Sequence, residues 1–209
     1  MSTRNLAPLP DIRALKRLTQ SLAILDAILW PEWVERYYSF NSHWSENEMM
    51  ASMRNGSGDE WFLLFSQAGA VMKGFSHESP MAVIPTWPGV LSDVPAVFST
   101  FLCEPAFSMN DTTFCLWQTV SESQWQRGCV TYPSGSDPDG SADLLFILDG
   151  NPKTYQQWAE EYSEREISLT AVDHVYAHLP LTEDIVAELN SDIVLSDMSA
   201  DIMEIGYPS

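Results

Sequence analysis

The sequence predicts an α+β protein, in which an antiparallel sheet of about five strands is preceded and followed by helices. Three patterns predict this class: helical spacing of apolar residues near the start, short apolar runs between turns in the middle, and capping residues in the last third. We therefore predict a single domain over residues 1–209. It comprises a helical lead (1–55), a mainly β region (59–149) and a mainly helical region (151–209).

The first predicted helix covers residues 11–29. Asp11 can cap it, because its carboxylate can accept a hydrogen bond from a free amide of the first turn. Pro31 interrupts the helix, and the pattern after it favours further helices over 32–40 and 46–54. The apolar stripe of the first helix consists of Ile12, Leu15, Leu18, Leu22, Leu25 and Leu29.

Five segments have the composition of strands. Residues 60–66 are almost entirely apolar, and a turn at 67–69 can return the chain over 70–75, which predicts a hairpin with a covered central strand. The connections are too short for helical crossovers between most strand pairs, so the sheet is predicted to be antiparallel. The other predicted strands cover residues 112–120, 127–132 and 142–148.

Capping patterns predict three helices in the last third. Asn151 precedes Pro152, a residue that suits the first helical position, so a helix is predicted to follow. Thr170 begins the pattern of a capping box for a second, short helix. Thr182 can cap a third helix, and Asn190 can end it in the left-handed conformation.

The charge of the chain excludes several classes of function. Its 209 residues include 29 Asp and Glu against 10 Lys and Arg, a net charge of −19 with neutral histidine. Residues 137–209 contain 16 acids and 2 bases, so this acidic third has a net charge of −14. Nucleic acids and anionic membrane surfaces both require a basic face, so we expect neither as a partner. The charge favours a basic protein partner.

We expect a cytoplasmic protein. Residues 1–10 lack the basic and then apolar pattern of a signal peptide. The longest apolar runs are far shorter than the ~20 residues that span a bilayer. No C-x-x-C pair occurs, which favours reduced thiols over a disulfide or zinc site for Cys103, Cys115 and Cys129.

Two histidines support a hypothesis of metal binding. His174 and His178 are four residues apart on a predicted helix, which is the spacing of the H-E-x-x-H zinc motif. Position 175 is valine, however, so the glutamate base of that motif is missing, and no third ligand is specified. We expect no cofactor, and keep metal-assisted hydrolysis at this pair as an enzymatic alternative.

Two further polar clusters contain candidate binding residues. His77 and Glu78 follow the predicted hairpin beside a proline-rich loop, a position where binding residues often lie, and they offer a second enzymatic alternative. Asp137 and Asp139 precede Gly140 in a segment similar to a calcium loop. Its first ligand position and its bidentate glutamate are missing, so an Asp- and Gly-rich turn explains the segment better.

Aromatic residues give the third set of candidates. The chain contains eight tryptophans, and tryptophan is enriched at binding hot spots. Trp33, Tyr37 and Trp44 lie among charged residues, so we predict that they contribute to a partner-binding surface. A second aromatic stripe at helical spacing, predicted to pack in the core, consists of Tyr155, Trp158 and Tyr162.

In size and composition the chain resembles small, acidic, aromatic-rich proteins that act by binding, among them bacterial toxin-immunity proteins. We therefore expect a non-catalytic protein that binds a basic partner, of which an immunity-type inhibitor is one version. One alternative is an enzyme with an unfamiliar active site at His77 and Glu78, or at His174 and His178. Another is a structural subunit, so the chain is expected to be a monomer or a homodimer.

Overall fold

A six-stranded antiparallel sheet forms the centre of the protein in the computed structural model, which describes residues 1–209. The strands lie side by side in the order of the sequence. A helix precedes the sheet and further helices follow it, so the predicted α+β class is confirmed. The strands are β1 (Tyr38–Ser45), β2 (Glu48–Arg54), β3 (Glu60–Ser66), β4 (Gly69–Phe75), β5 (Phe114–Thr119) and β6 (Gln126–Arg127).

Seven α-helices surround this sheet, and short 3-10 turns connect several of them. None combines the length and the apolar character needed to cross a membrane. The helices are α1 (Ile12–Leu29), α2 (Ser99–Cys103), α3 (Ser141–Leu145), α4 (Pro152–Ser163), α5 (Leu169–Tyr176), α6 (Glu183–Leu189) and α7 (Ser199–Ile205).

Helix α1 begins where the sequence predicts, because the Asp11 carboxylate accepts a hydrogen bond from the Ala14 amide (2.8 Å). Every residue from Leu18 to Trp30 is buried, so the second half of the helix is enclosed on all sides and not only along one stripe. It contacts β1 on one side and helices α5 and α7 on others. Helix α1 is therefore the centre of the helical layer.

The sheet separates two apolar clusters, because alternate residues of a strand point to opposite faces. The helix-covered face contains 39 buried residues, including Phe40 and Leu63 of the sheet. The loop-covered face contains 11 buried residues, including Phe62. The connection between β4 and β5, residues 76–113, covers this second face. Strand β3 is therefore covered on both faces, as predicted.

The helices predicted over 32–40 and 46–54 are wrong. A 3-10 turn (Trp33–Glu35) and the start of β1 occupy the first segment, and β2 occupies the second. In β1, buried Tyr38 and Phe40 alternate with less buried residues, which is the two-residue period of a strand. Strand β2 pairs with β1 and β3 and is mostly buried, so it lacks the alternation that would mark a strand in the sequence. Sheet pairing outweighs its local helix propensity. The helical lead over 1–55 thus contains one helix and two strands.

The strand predicted over 142–148 is also wrong, since this segment forms helix α3 and a 3-10 turn. Its start is set by polar contacts: Gly140 adopts a left-handed conformation, and the Asp137 carboxylate accepts hydrogen bonds from the amides of Ala142 and Asp143. The apolar run buries four residues in the helix-covered face. Length and apolar character alone do not distinguish such a helix from a covered strand.

The remaining strand predictions have mixed outcomes. The hairpin predicted over 60–66 and 70–75 is confirmed as β3 and β4, and the strand predicted over 112–120 is confirmed as β5. The strand predicted over 127–132 is wrong in length, because β6 contains only two residues. The chain leaves the sheet at Gly128, where its backbone packs directly against the loop-covered side.

Two of the three C-terminal caps are as predicted. The side chain of Asn151 accepts a hydrogen bond from the Lys153 amide (3.2 Å) at the start of α4. The Thr182 hydroxyl accepts one from the Ile185 amide (3.3 Å) at the start of α6. These helices depend on short-range contacts that the sequence displays directly.

Two further predictions for this region are wrong: the cap at the start of α5 and the left-handed residue at the end of α6. Helix α5 is capped by Ser168, whose hydroxyl accepts a hydrogen bond from the Ala171 amide (3.2 Å), and not by Thr170. Asn190 adopts an extended conformation (φ −152°), because its side chain donates a hydrogen bond to the Ile28 carbonyl (2.8 Å). A tertiary contact with α1 thus replaces the local left-handed cap.

Candidate functional site

The residues predicted to form one aromatic surface lie in different places. Trp33 lies in the turn before β1 and is 53% exposed, and the Arg36 guanidinium is 5.7 Å from its ring centroid. Trp44 stacks on Phe107 on the loop-covered face, with 5.6 Å between ring centroids. Of the three predicted residues, only Tyr37 lines a sizeable cavity.

Asp137 and Asp139 hold parts of the chain together. Asp137 caps helix α3. The Asp139 side chain is buried, and it accepts hydrogen bonds from the hydroxyls of Thr3 and Ser141. Burial raises the pKa of Asp139. Because in-chain donors engage both carboxylates, this segment is an Asp-rich turn that anchors the N-terminal residues.

His77 is oriented by Asp59 and not by the adjacent Glu78. One Asp59 oxygen lies 2.8 Å from both the backbone nitrogen and the Nδ1 atom of His77. The other accepts a hydrogen bond from Asn55 (2.7 Å). The Glu78 side chain is 87% exposed, and its carboxylate is 3.9 Å from Nε2.

The ionisation of this pair follows from its geometry. The hydrogen bond from the His77 ring to Asp59 raises the pKa of His77. Partial burial acts to raise the pKa of Asp59, but the hydrogen bonds from His77 and Asn55 outweigh burial and lower it. A histidine held in this way by a carboxylate is favoured in its charged form.

The two histidines of the metal hypothesis do not share a helix face. Helix α5 ends at Tyr176, and His178 lies beyond it in a left-handed conformation (φ 59°). The Nε2 atom of His174 is 2.8 Å from the Pro180 carbonyl, whereas that of His178 is 3.2 Å from the Gln20 amide oxygen. The prediction that both histidines lie on one helix is wrong, because the helix stops before the second histidine.

An aromatic pocket of about 510 Å³ opens at the edge of the helix-covered face, between β1, β2, α3 and α4. Its size lies within the usual range of ligand sites, and seven of its ten lining residues are hydrophobic. No lysine or arginine lines it. The lining residues that determine its chemistry are Tyr37, Asn55, Asp143, Trp158, Glu161 and Tyr162.

Trp158 and Tyr162 form an aromatic wall in this pocket. They lie one turn apart on α4, and their rings are nearly parallel, at 5° with 5.7 Å between centroids. The Tyr37 ring packs at steep angles against both, at 5.1 and 4.8 Å. The ring of buried Trp30 also packs at steep angles against both, with centroid distances of 5.8 Å to Trp158 and 5.2 Å to Tyr162. These contacts hold the wall in position, while Tyr162 remains 43% exposed.

Two carboxylates of the pocket have no partner within the chain. Asp143 and Glu161 are both exposed, and neither carboxylate accepts a hydrogen bond or forms an ion pair. The hydroxyls of Tyr37 and Tyr162 also lack an in-chain hydrogen bond. The pocket is therefore negative and rich in unused hydrogen-bond acceptors beside an aromatic surface.

Behind the pocket, Asp26 of α1 joins the helix to the first strand and to α4. Its buried carboxylate accepts hydrogen bonds of 2.8 Å from the amides of Tyr37 and Tyr38 and from the Tyr155 hydroxyl. Burial raises the pKa of Asp26 to about 7, although these hydrogen bonds act to lower it. Because Tyr37 and Tyr38 line the pocket, this network positions its sheet side.

A larger cavity of about 650 Å³ lies between the N-terminal segment and β6. Its lining is mostly polar and includes Arg4 and Arg127. Both guanidinium groups lie near the Tyr132 ring and donate hydrogen bonds to backbone carbonyls. These arginines are engaged in holding the chain, and the cavity lacks an aromatic wall comparable to that of the smaller pocket.

Most of the aromatic pocket is missed by sequence reasoning. The helical spacing of Trp158 and Tyr162 predicts core packing, yet both line an open pocket. One signal could have located it: Glu161 lies on the same helix face, and an unpaired carboxylate does not belong in a core. The contact between Asp59 and His77 has no such signal in the sequence, because the whole hairpin β3–β4 separates the two residues.

Comparisons with protein-family models, with curated proteins and with solved structures find no match to this chain. No group of three or more His, Cys, Asp or Glu side chains is arranged to hold a metal ion. The side chains that line the pocket can stack, accept hydrogen bonds and attract positive charge.

Proposed function

We propose that this protein binds a basic protein without catalysing a reaction, and that the aromatic pocket receives a cationic side chain of this partner. One observation carries the proposal: the unpaired carboxylates of Asp143 and Glu161 lie beside the aromatic wall of Trp158 and Tyr162. Cations are attracted both by carboxylates and by the faces of aromatic rings. Aromatic anchors of this kind dominate the binding energy of many protein interfaces.

The charge distribution supports the same partner. Both unpaired carboxylates belong to residues 137–209, whose net charge is −14. A field of this sign attracts basic proteins over a distance of about 8 Å at physiological salt, and so raises the rate of encounter. An immunity-type inhibitor of a cationic protein is one version of this function.

Calorimetric titration with a short peptide of alternating glycine and basic residues tests the proposal. We expect binding that weakens as salt rises, because exposed charges are screened. The double variant Glu161→Gln/Tyr162→Leu removes one carboxylate and half of the aromatic wall. It should bind the peptide about tenfold more weakly than the natural protein.

The double variant Glu166→Gln/Trp33→Leu is the matched control. It removes the same charge and an exposed aromatic residue, but neither residue lines the pocket. Its affinity for the peptide should stay close to that of the natural protein. Equal losses in both double variants, or no binding of the peptide to the natural protein, would refute the proposed function.

Proton transfer at His77 is a second candidate function, favoured by the hydrogen bond between Nδ1 and Asp59. Asp59 holds Nδ1, so the charged ring can give up a proton from Nε2, and Nε2 can act as a base once that proton has left. Hydrolysis of an activated aryl ester by the natural protein and by His77→Ala tests this role. Equal rates for the two proteins would reject it.

A further inference from the structure

We propose that the side chain recognised by the aromatic pocket is arginine, in preference to lysine or a methylated lysine. This inference rests on the proposed function and narrows it to a basic protein that presents an exposed arginine. The inference follows from two features of the pocket, the aromatic wall and the unpaired carboxylates. The bound side chain must stack on the first and donate hydrogen bonds to the second.

The aromatic wall favours a planar cation. The rings of Trp158 and Tyr162 stack on each other with 5° between their planes, and Tyr37 and Trp30 pack against both, which leaves part of the Tyr162 ring exposed. A guanidinium group is planar and weakly hydrated, so it can lie flat against an exposed ring at little desolvation cost. A lysine ammonium is compact and strongly hydrated, so it gains less from the same surface.

The unpaired carboxylates favour a cation with several N–H groups. Asp143 belongs to α3 and Glu161 to α4, so the acceptors come from two different helices of the pocket. A guanidinium group carries five N–H donors in a fixed plane and can donate to more than one acceptor while it stacks. A trimethylated ammonium keeps its charge but has no N–H group, so it would leave both carboxylates without a hydrogen bond.

The arginines of the chain that lie close in sequence to the pocket residues do not fill this role. Arg36 is paired with Asp201, and Arg165 donates a hydrogen bond to the Leu29 carbonyl at the end of α1. Arg54 points to the loop-covered face, where its guanidinium lies 5.7 Å from the centroid of the Phe62 ring. No arginine lines the pocket. The negative charge of the pocket can therefore bind a cation from outside the chain.

Nuclear magnetic resonance titrations with single-residue probes test the choice of cation. The probes are the acetylated amides of arginine, lysine, trimethyllysine and citrulline, the last of which matches arginine in shape but is neutral. The signal to follow is the Trp158 indole N–H, assigned by its loss in Trp158→Phe. We expect arginine to bind at least about threefold more tightly than lysine or trimethyllysine, and citrulline about tenfold more weakly than arginine.

Two variants examine the role of the carboxylates. Asp143→Asn and Glu161→Gln should each reduce the preference for arginine over trimethyllysine, because that preference depends on strong acceptors of N–H donors. Glu166→Gln, which removes an exposed carboxylate outside the pocket, should leave the preference unchanged.

Each other outcome has a separate meaning. Equal affinities for arginine and lysine, or a tighter complex with trimethyllysine, would overturn the inference of arginine while the basic partner stands. A response to citrulline equal to that of arginine, or no response of Trp158 to any cation, would overturn the arginine site and the proposed function together.

Discussion

Each face of the sheet encloses a fully buried acidic or basic side chain, Lys73 on one and Asp26 on the other, but the two faces surround it differently. On the loop-covered face, the Lys73 ammonium is 2.6 Å from a Glu60 oxygen and 2.8 Å from the Asp111 carbonyl. On the helix-covered face, the enclosed Asp26 carboxylate receives hydrogen bonds only from two backbone amides and the Tyr155 hydroxyl. One face contains an ion pair, and the other contains a carboxylate with neutral donors.

Only the helix-covered face connects its buried side chain to the aromatic pocket, and the two faces also differ in how the buried charge is balanced. An ion pair balances its own charge, whereas neutral donors leave the charge of Asp26 unbalanced, so burial raises its pKa to about 7. Two of these donors, the amides of Tyr37 and Tyr38, belong to residues that line the aromatic pocket. The helix-covered face therefore couples a pH-sensitive support to a candidate binding surface.

The largest effect is expected from Asp26→Leu, which removes the acceptor from three donors, two of them fully buried. We expect the free energy of unfolding to fall by about 4 kcal/mol, because each unsatisfied buried donor costs energy. Denaturant unfolding measures this loss. Asp26→Asn is the control, since it keeps one oxygen acceptor and should lose less. A loss below about 1 kcal/mol for Asp26→Leu would contradict the role of this network.

The next largest effect is a pH dependence of stability caused by Asp26. Its pKa is about 7 in the folded protein against 3.8 in the unfolded chain, so the folded state retains a proton that the unfolded state has lost. This stabilisation is complete below the lower value and is lost as the pH rises through the higher one. From about pH 5 to pH 7.5 the free energy of unfolding should fall by about 3 kcal/mol through this group.

Comparison with Asp26→Asn isolates this contribution. The folded-state pKa values of His77 and Asp139 are also raised, so the natural protein alone would mix several groups. The difference between the natural protein and Asp26→Asn should change over this pH range. A difference that stays constant would show that Asp26 does not titrate there.

A smaller effect is expected from Lys73→Met on the loop-covered face. Glu60 would lose its partner, but it is partly exposed and water can solvate it, so we expect a loss of about 2 kcal/mol. Denaturant unfolding measures this loss, and a loss as large as that of Asp26→Leu would remove the contrast between the two faces.

The smallest effect on stability is expected from Tyr162→Leu in the aromatic wall. It removes partly exposed ring contacts with Trp30, Tyr37 and Trp158, and should cost about 1 kcal/mol. Under the proposed function, the same change should weaken binding of the basic peptide severalfold. Calorimetry measures the affinity, and Trp33→Leu serves as the control. A large loss of stability with unchanged affinity would assign Tyr162 to the core.

Elements with local signals are predictable from the sequence. Asp11, Asn151 and Thr182 cap helices as expected, and the hairpin over 60–75 forms as expected, because each depends on residues a few positions apart. For some other segments, the sequence pattern predicts the wrong secondary structure. Most residues of strand β2 are buried, and helix α3 is only five residues long, so neither shows the period that would distinguish strand from helix.

The candidate site is less predictable. Tyr37 is a predicted binding residue, but its neighbours in the pocket come from distant segments, and His77 contacts Asp59 across a hairpin instead of the adjacent Glu78. Residue types indicate that aromatic and acidic side chains are abundant. The residue types do not indicate which of these side chains contact each other in the folded protein.

The acidic third, the α+β class and the capped helices can be recognised in the chain before it folds, because composition and short-range hydrogen bonding are sufficient for them. The aromatic pocket and the altered pKa of Asp26 arise only when α1, β1 and α4 pack together. Their origin is burial, which depends on the faces that distant segments cover and not on the order of the residues.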